Sequence, residues 1–160
     1  MIDLFKKLIE SLDQETEHYL NLASLVEQQK DILVTGKIEV LPSNVYLEEK
    51  EVFALSPIIS RRNEILTQIA KFLNVQNMTL TDALKYAPVE CIEELKKAVI
   101  ELVRSAKQLE EMNKSNEKLL NNAISYVKFT LAIIANGGKK KVSSSLTSEE
   151  KNSSFVNRVV

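Results

Sequence analysis

Four side chains in this sequence could carry chemistry by type: the single histidine His18, the single cysteine Cys91, and the adjacent arginines Arg61 and Arg62. His18 could accept a phosphoryl group, as the histidine of a helical phosphotransfer module does. Such a histidine is followed closely by a lysine and a small residue that hold the phosphoryl group and admit its donor. Here the chain continues Tyr19, Leu20, Asn21, Leu22, so His18 reads as a helix flank. Cys91 would need a base to become a nucleophile, and the one histidine is distant in sequence, so Cys91 reads as a small structural residue at a helix start. Arg61 and Arg62 read as solvated or snorkelling side chains at the edge of an apolar seam. The acids are scattered as i, i+4 partners of Lys and Arg and not paired for a metal. No phosphate loop, dinucleotide fingerprint or HExxH motif occurs. The reading is of a non-enzyme with no cofactor and no metal.

Bulk properties point the same way. With 21 Lys+Arg against 22 Asp+Glu the formal net charge is -1, which draws the chain neither to nucleic acid nor to an anionic membrane and leaves protein as the expected partner. Lys139 to Lys141 is too short a basic run to change that. One cysteine excludes an internal disulfide framework and fits a reducing compartment. The first residues carry acids every few positions, unlike a signal peptide, and the apolar run Phe129 to Ala135 is far short of the roughly 18 residues of a membrane span, so a cytoplasmic location is expected. Only 3 Gly and 3 Pro, with no Trp, favour helices.

The elements that must position everything else are three heptad-patterned segments. Phe5, Leu12, Tyr19, Val26 and Leu33, interleaved with Leu8 and Leu22, predict a helix over about 3–34, stopped by Gly36. Val45, Val52, Ile59, Leu66 and Leu73, with Leu41, Leu55 and Ile69, predict a second over about 38–74, kinked by Pro57 near Ala54 to Ser56. After a structured connector with a helical turn at 79–86, capped by Thr79 or Thr81, a third runs over about 89–135. Its two registers are Ile92, Val99, Ala106, Asn113, Leu120, Val127, Ile134 and Leu95, Leu102, Leu109, Asn116, Ala123. The architecture expected is all-α: an elongated antiparallel three-helix bundle or coiled coil over 1–136, running up, down, up, with a mobile tail over 137–160 that contains a possible short amphipathic helix. The third helix should outreach the first by roughly 20 Å.

That surplus carries Tyr126, Val127, Phe129, Leu131, Ile133 and Ile134, which at 100° per residue cannot all face one neighbour. An uncovered apolar surface marks a contact site for a partner, unless the tail or a second copy covers it. Asn113 and Asn116 interrupt the seam where apolar residues are due; they either contact a ligand or open the seam locally to solvent.

Three stretches give the chain a resemblance to the FlgN family of flagellar export chaperones: QQKDILVTGKIEVL at the first boundary, EKEVFALSPIISRRNEILTQIAKFL with an Arg near the middle of the second helix, and the spaced asparagines of LEEMNKSNEKLLNNAISYV. The similarity spans most of the chain. It implies that the clients are the hook-filament junction proteins FlgK and FlgL, held through their C-terminal helical segments and delivered to the flagellar export apparatus. It further implies that Leu119, Leu120, Ala123, Tyr126, Val127, Thr130, Ile133 and Ile134 line a client groove, that Asn113 and Asn116 bound or register it, and that Phe155, Val156 and Val159 form a clasp. Self-association is expected when no client is bound. The competing readings are a filament-cap chaperone of similar build, a structural coiled-coil oligomer and, from a different class, phosphotransfer through His18.

Overall fold

The computed structural model describes residues 1–136, and every regular element among them is helical. Helix α1 spans Ile2–Thr35, a single 3-10 turn covers Ile38–Val40, α2 spans Leu41–Leu73, the short α3 spans Leu80–Tyr86 and α4 spans Ile92–Asn136. The second helix therefore starts at its first heptad residue, Leu41, three residues after the expected bound of about 38 and after the 3-10 turn, and the last one starts at Ile92, after a turn in which the Cys91 and Ile92 amides both bond to the Pro88 carbonyl. The expected tail over 137–160 lies outside the described residues.

Local chemistry accounts for the helix ends. Gly36 takes a φ of 71°, and its N–H turns back to the carbonyl of Ile32 to close α1. Asn74, at φ 58°, closes α2 in the same left-handed conformation. Helix α2 continues through Pro57. The amide that Pro57 lacks would have met the carbonyl of Phe53, a residue 83% exposed, so water can replace the lost bond while Leu55 and Ile65 hold the two halves of α2 in the core.

Helix α3 opens with a capping box. The Thr79 hydroxyl accepts from the Asp82 amide, and the Asp82 carboxylate accepts from the amide and hydroxyl of Thr79. The Thr79 hydroxyl, assisted by Lys85, holds the Asp82 carboxyl down at about 2, from an ordinary 3.8. A depressed carboxylate supports the fold above its unfolded value and loses that support as pH falls through its folded value. A carbon-detected carboxyl titration is expected to place Asp82 near 2, and Thr79→Val to move it back towards 3.8.

Helix α1 is the central element, with α2 on one flank and α4 on the other. Phe5, Leu8 and Leu12 are fully buried against Ile65, Leu66 and Ile69 of α2 and against Cys91, Leu95, Ala98 and Leu102 at the start of α4, with Ala83 of α3 closing that end. A second cluster joins Leu22, Ala23 and Val26 to Leu55 and Leu109. Chain order within these clusters shows α2 running opposite to α1, and α4 running parallel to it.

On α2 and on α4 one of the two expected registers is buried and the other gives way in part. Val52 is 55% exposed; the α2 positions turned towards α1 at that height are Asn44, Glu48, Glu51 and Leu55. On α4 the buried row is Cys91, Leu95, Ala98, Leu102, Ser105, Leu109 and Asn116, whereas Asn113 and Leu120 of the other register are exposed. The small residues Cys91, Ala98 and Ser105 complete the row of the expected register Leu95, Leu102, Leu109 and Asn116 and leave room for α1 to pack against it.

Candidate functional site

Two polar layers cross the helices and set their alignment. In the lower layer Glu15, a seam residue of α1 with 2% of its side chain accessible, takes two 2.8 Å hydrogen bonds from Nη1 of Arg62, while the Tyr19 hydroxyl donates to the same carboxylate at 3.4 Å. Burial pushes the Glu15 carboxyl above its ordinary value of 4.5 despite the opposing guanidinium. Arg62 is thus not a solvated edge residue as its sequence position suggests; only Arg61 behaves so, 3.7 Å from Glu10 in an exposed pair. The signal for Glu15 was present: it falls in the seam row Leu8, Leu12, Glu15, Tyr19, Leu22, where a lone acid demands a partner.

The upper layer is built on asparagines. Asn116 donates to the Val26 carbonyl at 2.7 Å and to Gln29 Oε1 at 3.0 Å, and the Gln29 amide in turn donates to Glu48 at 3.1 Å, so one relay links α4, α1 and α2. Asn44 of α2 reaches the neighbouring carbonyl, Leu25, from the opposite flank. Burial raises the Glu48 carboxyl. Asn116 is 3% exposed and spends its amide within the chain, whereas Asn113 faces solvent. Asn116→Ala is expected to cost about 1–2 kcal/mol, read as a lower urea midpoint, and Asn113→Ala no more than about 0.5 kcal/mol.

Beyond about residue 125, α4 extends past the end of α1. Helix α1 ends nine residues beyond Val26, and α4 continues twenty residues past Asn116, so about 11 residues, or roughly 16 Å, project. Leu120, Ile124, Val127, Leu131 and Ile134 recur at alternating spacings of four and three along one line of the helix, and their exposure climbs from 41% to 70% towards its end. Next to that line run Leu119, Ala123, Thr130 and Ile133, all half-buried, and Tyr126, which is 60% exposed. The Thr130 hydroxyl turns back to the Tyr126 carbonyl at 3.0 Å and so presents its methyl group outward. From Asn121 to Asn136 the only charge is Lys128. Of the residues expected at a groove, the eight from Leu119 to Ile134 thus share one broad apolar face, Asn116 underlies it and Asn113 sits apart. Phe155, Val156 and Val159 lie outside the described residues. Leu131, expected as part of the apolar surplus, and Ile124, which the sequence reading does not single out, belong to the same face; the three-and-four spacing through Leu120 and Val127 marks both.

The other candidates for chemistry are absorbed into packing. His18 Nδ1 lies 2.6 Å from Glu51 Oε1, which also accepts from Asn21 at 3.0 Å; the Asn21 bond, reinforced by His18, holds the Glu51 carboxyl below its ordinary range. Cys91 is 1% exposed. Among the described residues no group of three or more His, Cys, Asp or Glu could hold a metal ion, and no helix is long and apolar enough to cross a membrane.

Comparison with known proteins gives one family. The model of the family described as FlgN protein matches residues 1–146, which includes both polar layers and the whole projecting face. No curated protein and no solved structure matches.

Proposed function

The chain belongs to the FlgN family of flagellar export chaperones, and from that premise we propose that it holds the C-terminal helical segments of the hook-filament junction proteins FlgK and FlgL on the projecting part of α4. The chaperone is an elongated three-helix bundle acting in the cytoplasm, and the bundle serves as the handle. The observation that carries this reading is the apolar line Leu120, Ile124, Val127, Leu131, Ile134, which begins beside the end of α1 and continues onto the projecting part of α4 at the spacing that an amphipathic helix presents and accepts.

Covering that line shields the client's own apolar face, which otherwise drives premature assembly, and keeps the client in a form the export apparatus can take up. Asn116 ties α4 to α1 just before the face begins and so fixes the rotation at which α4 presents it. Phe155, Val156 and Val159 close over the bound helix as a clasp. Immobilising the client helix costs conformational entropy, which keeps the affinity moderate and the client releasable.

The test is backbone amide shift mapping of the labelled chain with a FlgK C-terminal peptide. Shifts concentrated in residues 119–134 support the reading. Shifts confined to the end of the molecule around Ala83 and Cys91 would move the site elsewhere.

A further inference from the structure

The corner between α1 and α2 stands where the α4 face opens. Asn116 pairs with Val26, and nine further residues take α1 to Thr35, so the corner is level with about residues 125–128 of α4. Turns of this kind are ordinarily polar, yet here Val34, Ile38 and Val40 are 49%, 49% and 45% exposed, and no residue of the 3-10 turn is buried. Lys37, between them, is exposed and has no ion pair among the described residues.

The apolar line of α4 looks over this corner. Eighteen residues make about five full turns, so Leu120, Val127 and Ile134 keep the bearings of Leu102, Leu109 and Asn116, which are buried in the seam with α1. Past the corner that seam runs on for about 16 Å with no helix opposite it among the described residues. Helix α4 is thus a wall, and Val34, Ile38 and Val40 are a floor at its foot. The wall alone sets no register, because Leu120, Val127 and Ile134, like Ile124 and Leu131, repeat every seven residues, and a helix laid along it could slide by a heptad and meet the same side-chain types. A floor that stops one end of the helix removes that freedom.

Resting on the client reading above, we infer that the client helix runs antiparallel to α4 and ends on this corner, its last turn packed on Val34, Ile38 and Val40 and its terminal carboxylate beside Lys37. Only a chain end can stop on a floor. The other end of the held segment must leave through the open top of the site, since it continues into the rest of the client. The bound helix therefore fills the space that α1 would enter if it ran on, but in the reverse direction.

Isothermal titration of the full chain with a FlgK C-terminal peptide and its length variants tests this. Four residues appended after the peptide's C-terminus should weaken binding about tenfold or more, whereas the same four placed ahead of its N-terminus should leave it unchanged. Ile38→Asp combined with Val40→Asp should weaken binding to a similar extent without moving the thermal midpoint, since both side chains are exposed. Amidating the peptide's C-terminus should weaken binding to the wild type roughly two- to fivefold and make no difference to Lys37→Ala. Equal tolerance of the two extensions, greater sensitivity to the N-terminal one, or wild-type affinity in the Ile38 and Val40 variant while Val127→Asp still lowers it, would each overturn the inference and leave the α4 face as the client site. No binding by the wild type, or affinity untouched by Val127→Asp, would overturn the client reading and this inference with it.

Discussion

Replacing Arg62 with leucine is expected to destabilise the fold by about 3–5 kcal/mol, because it leaves the Glu15 carboxylate buried without its counter-charge. For a chain of this size that is a fall in thermal midpoint on the order of 10 °C. The two halves of the pair should not be equivalent. Glu15 has 2% of its side chain accessible and Arg62 has 19%, so losing the cation strands the more deeply buried charge. Glu15→Gln keeps an acceptor for the guanidinium and should cost roughly 1 kcal/mol. Leucine at both positions should recover most of the loss, since an apolar pair leaves no charge to satisfy, and Arg62 Nε, which is buried without a partner, shows that the native pair is not fully satisfied either.

The pH dependence fixes the sign independently. Burial already raises the Glu15 carboxyl above 4.5, and removing Arg62 takes away the main influence holding it down. A carboxyl raised in the folded state destabilises most when ionised, and that penalty disappears as pH falls through its folded value towards 4.5. The stability gap between wild type and Arg62→Leu should therefore be widest near neutrality and shrink in acid. Chemical denaturation between about pH 4 and 7 reads it directly. A gap that widened in acid would contradict the assignment of the cost to Glu15.

Much of this architecture is legible in the residues. The α1 seam follows its heptads closely, because Phe5, Leu8, Leu12, Leu22 and Val26 are large, regularly spaced and flanked by charges that cannot be buried. Helix α4 was harder to orient. Its buried row uses Cys91, Ala98 and Ser105, and small residues carry little signal in an apolar pattern although they decide how near two helices approach. Polar residues at seam positions are only partly legible: Asn116 interrupts an apolar register, while Glu15 sits among acids scattered along its helix and Asn44 belongs to neither apolar register of α2. In each case the missing information is the partner across the interface, which lies 19 to 90 residues away in sequence for Asn44–Leu25, Glu15–Arg62 and Asn116–Val26. The exposed apolar end of α4 was legible in outline from the excess length of that helix, but which of its apolar residues share one line depends on how α4 is rotated against α1.

Val127→Asp and Ile134→Asp are expected to lower client affinity at least about 100-fold each, since a carboxylate placed within an apolar helix contact is stranded from water. Val127 and Ile134 are 54% and 70% exposed in the free chain, so neither change should move the thermal midpoint by more than about 2 °C. This pattern is the reverse of that at Arg62, where stability falls. If stability and binding fell together at Val127 and Ile134, these residues would belong to the core and the client face would have to be placed elsewhere.

Isothermal titration of the full chain with the C-terminal peptides of FlgK and FlgL, alongside a chain truncated after Asn136, tests the central claim most directly. The account predicts saturable binding of a junction-protein peptide by the full chain and weaker binding by the truncated one, which keeps the α4 face but loses Phe155, Val156 and Val159. Heats of dilution alone, for both peptides and both chains, would contradict it.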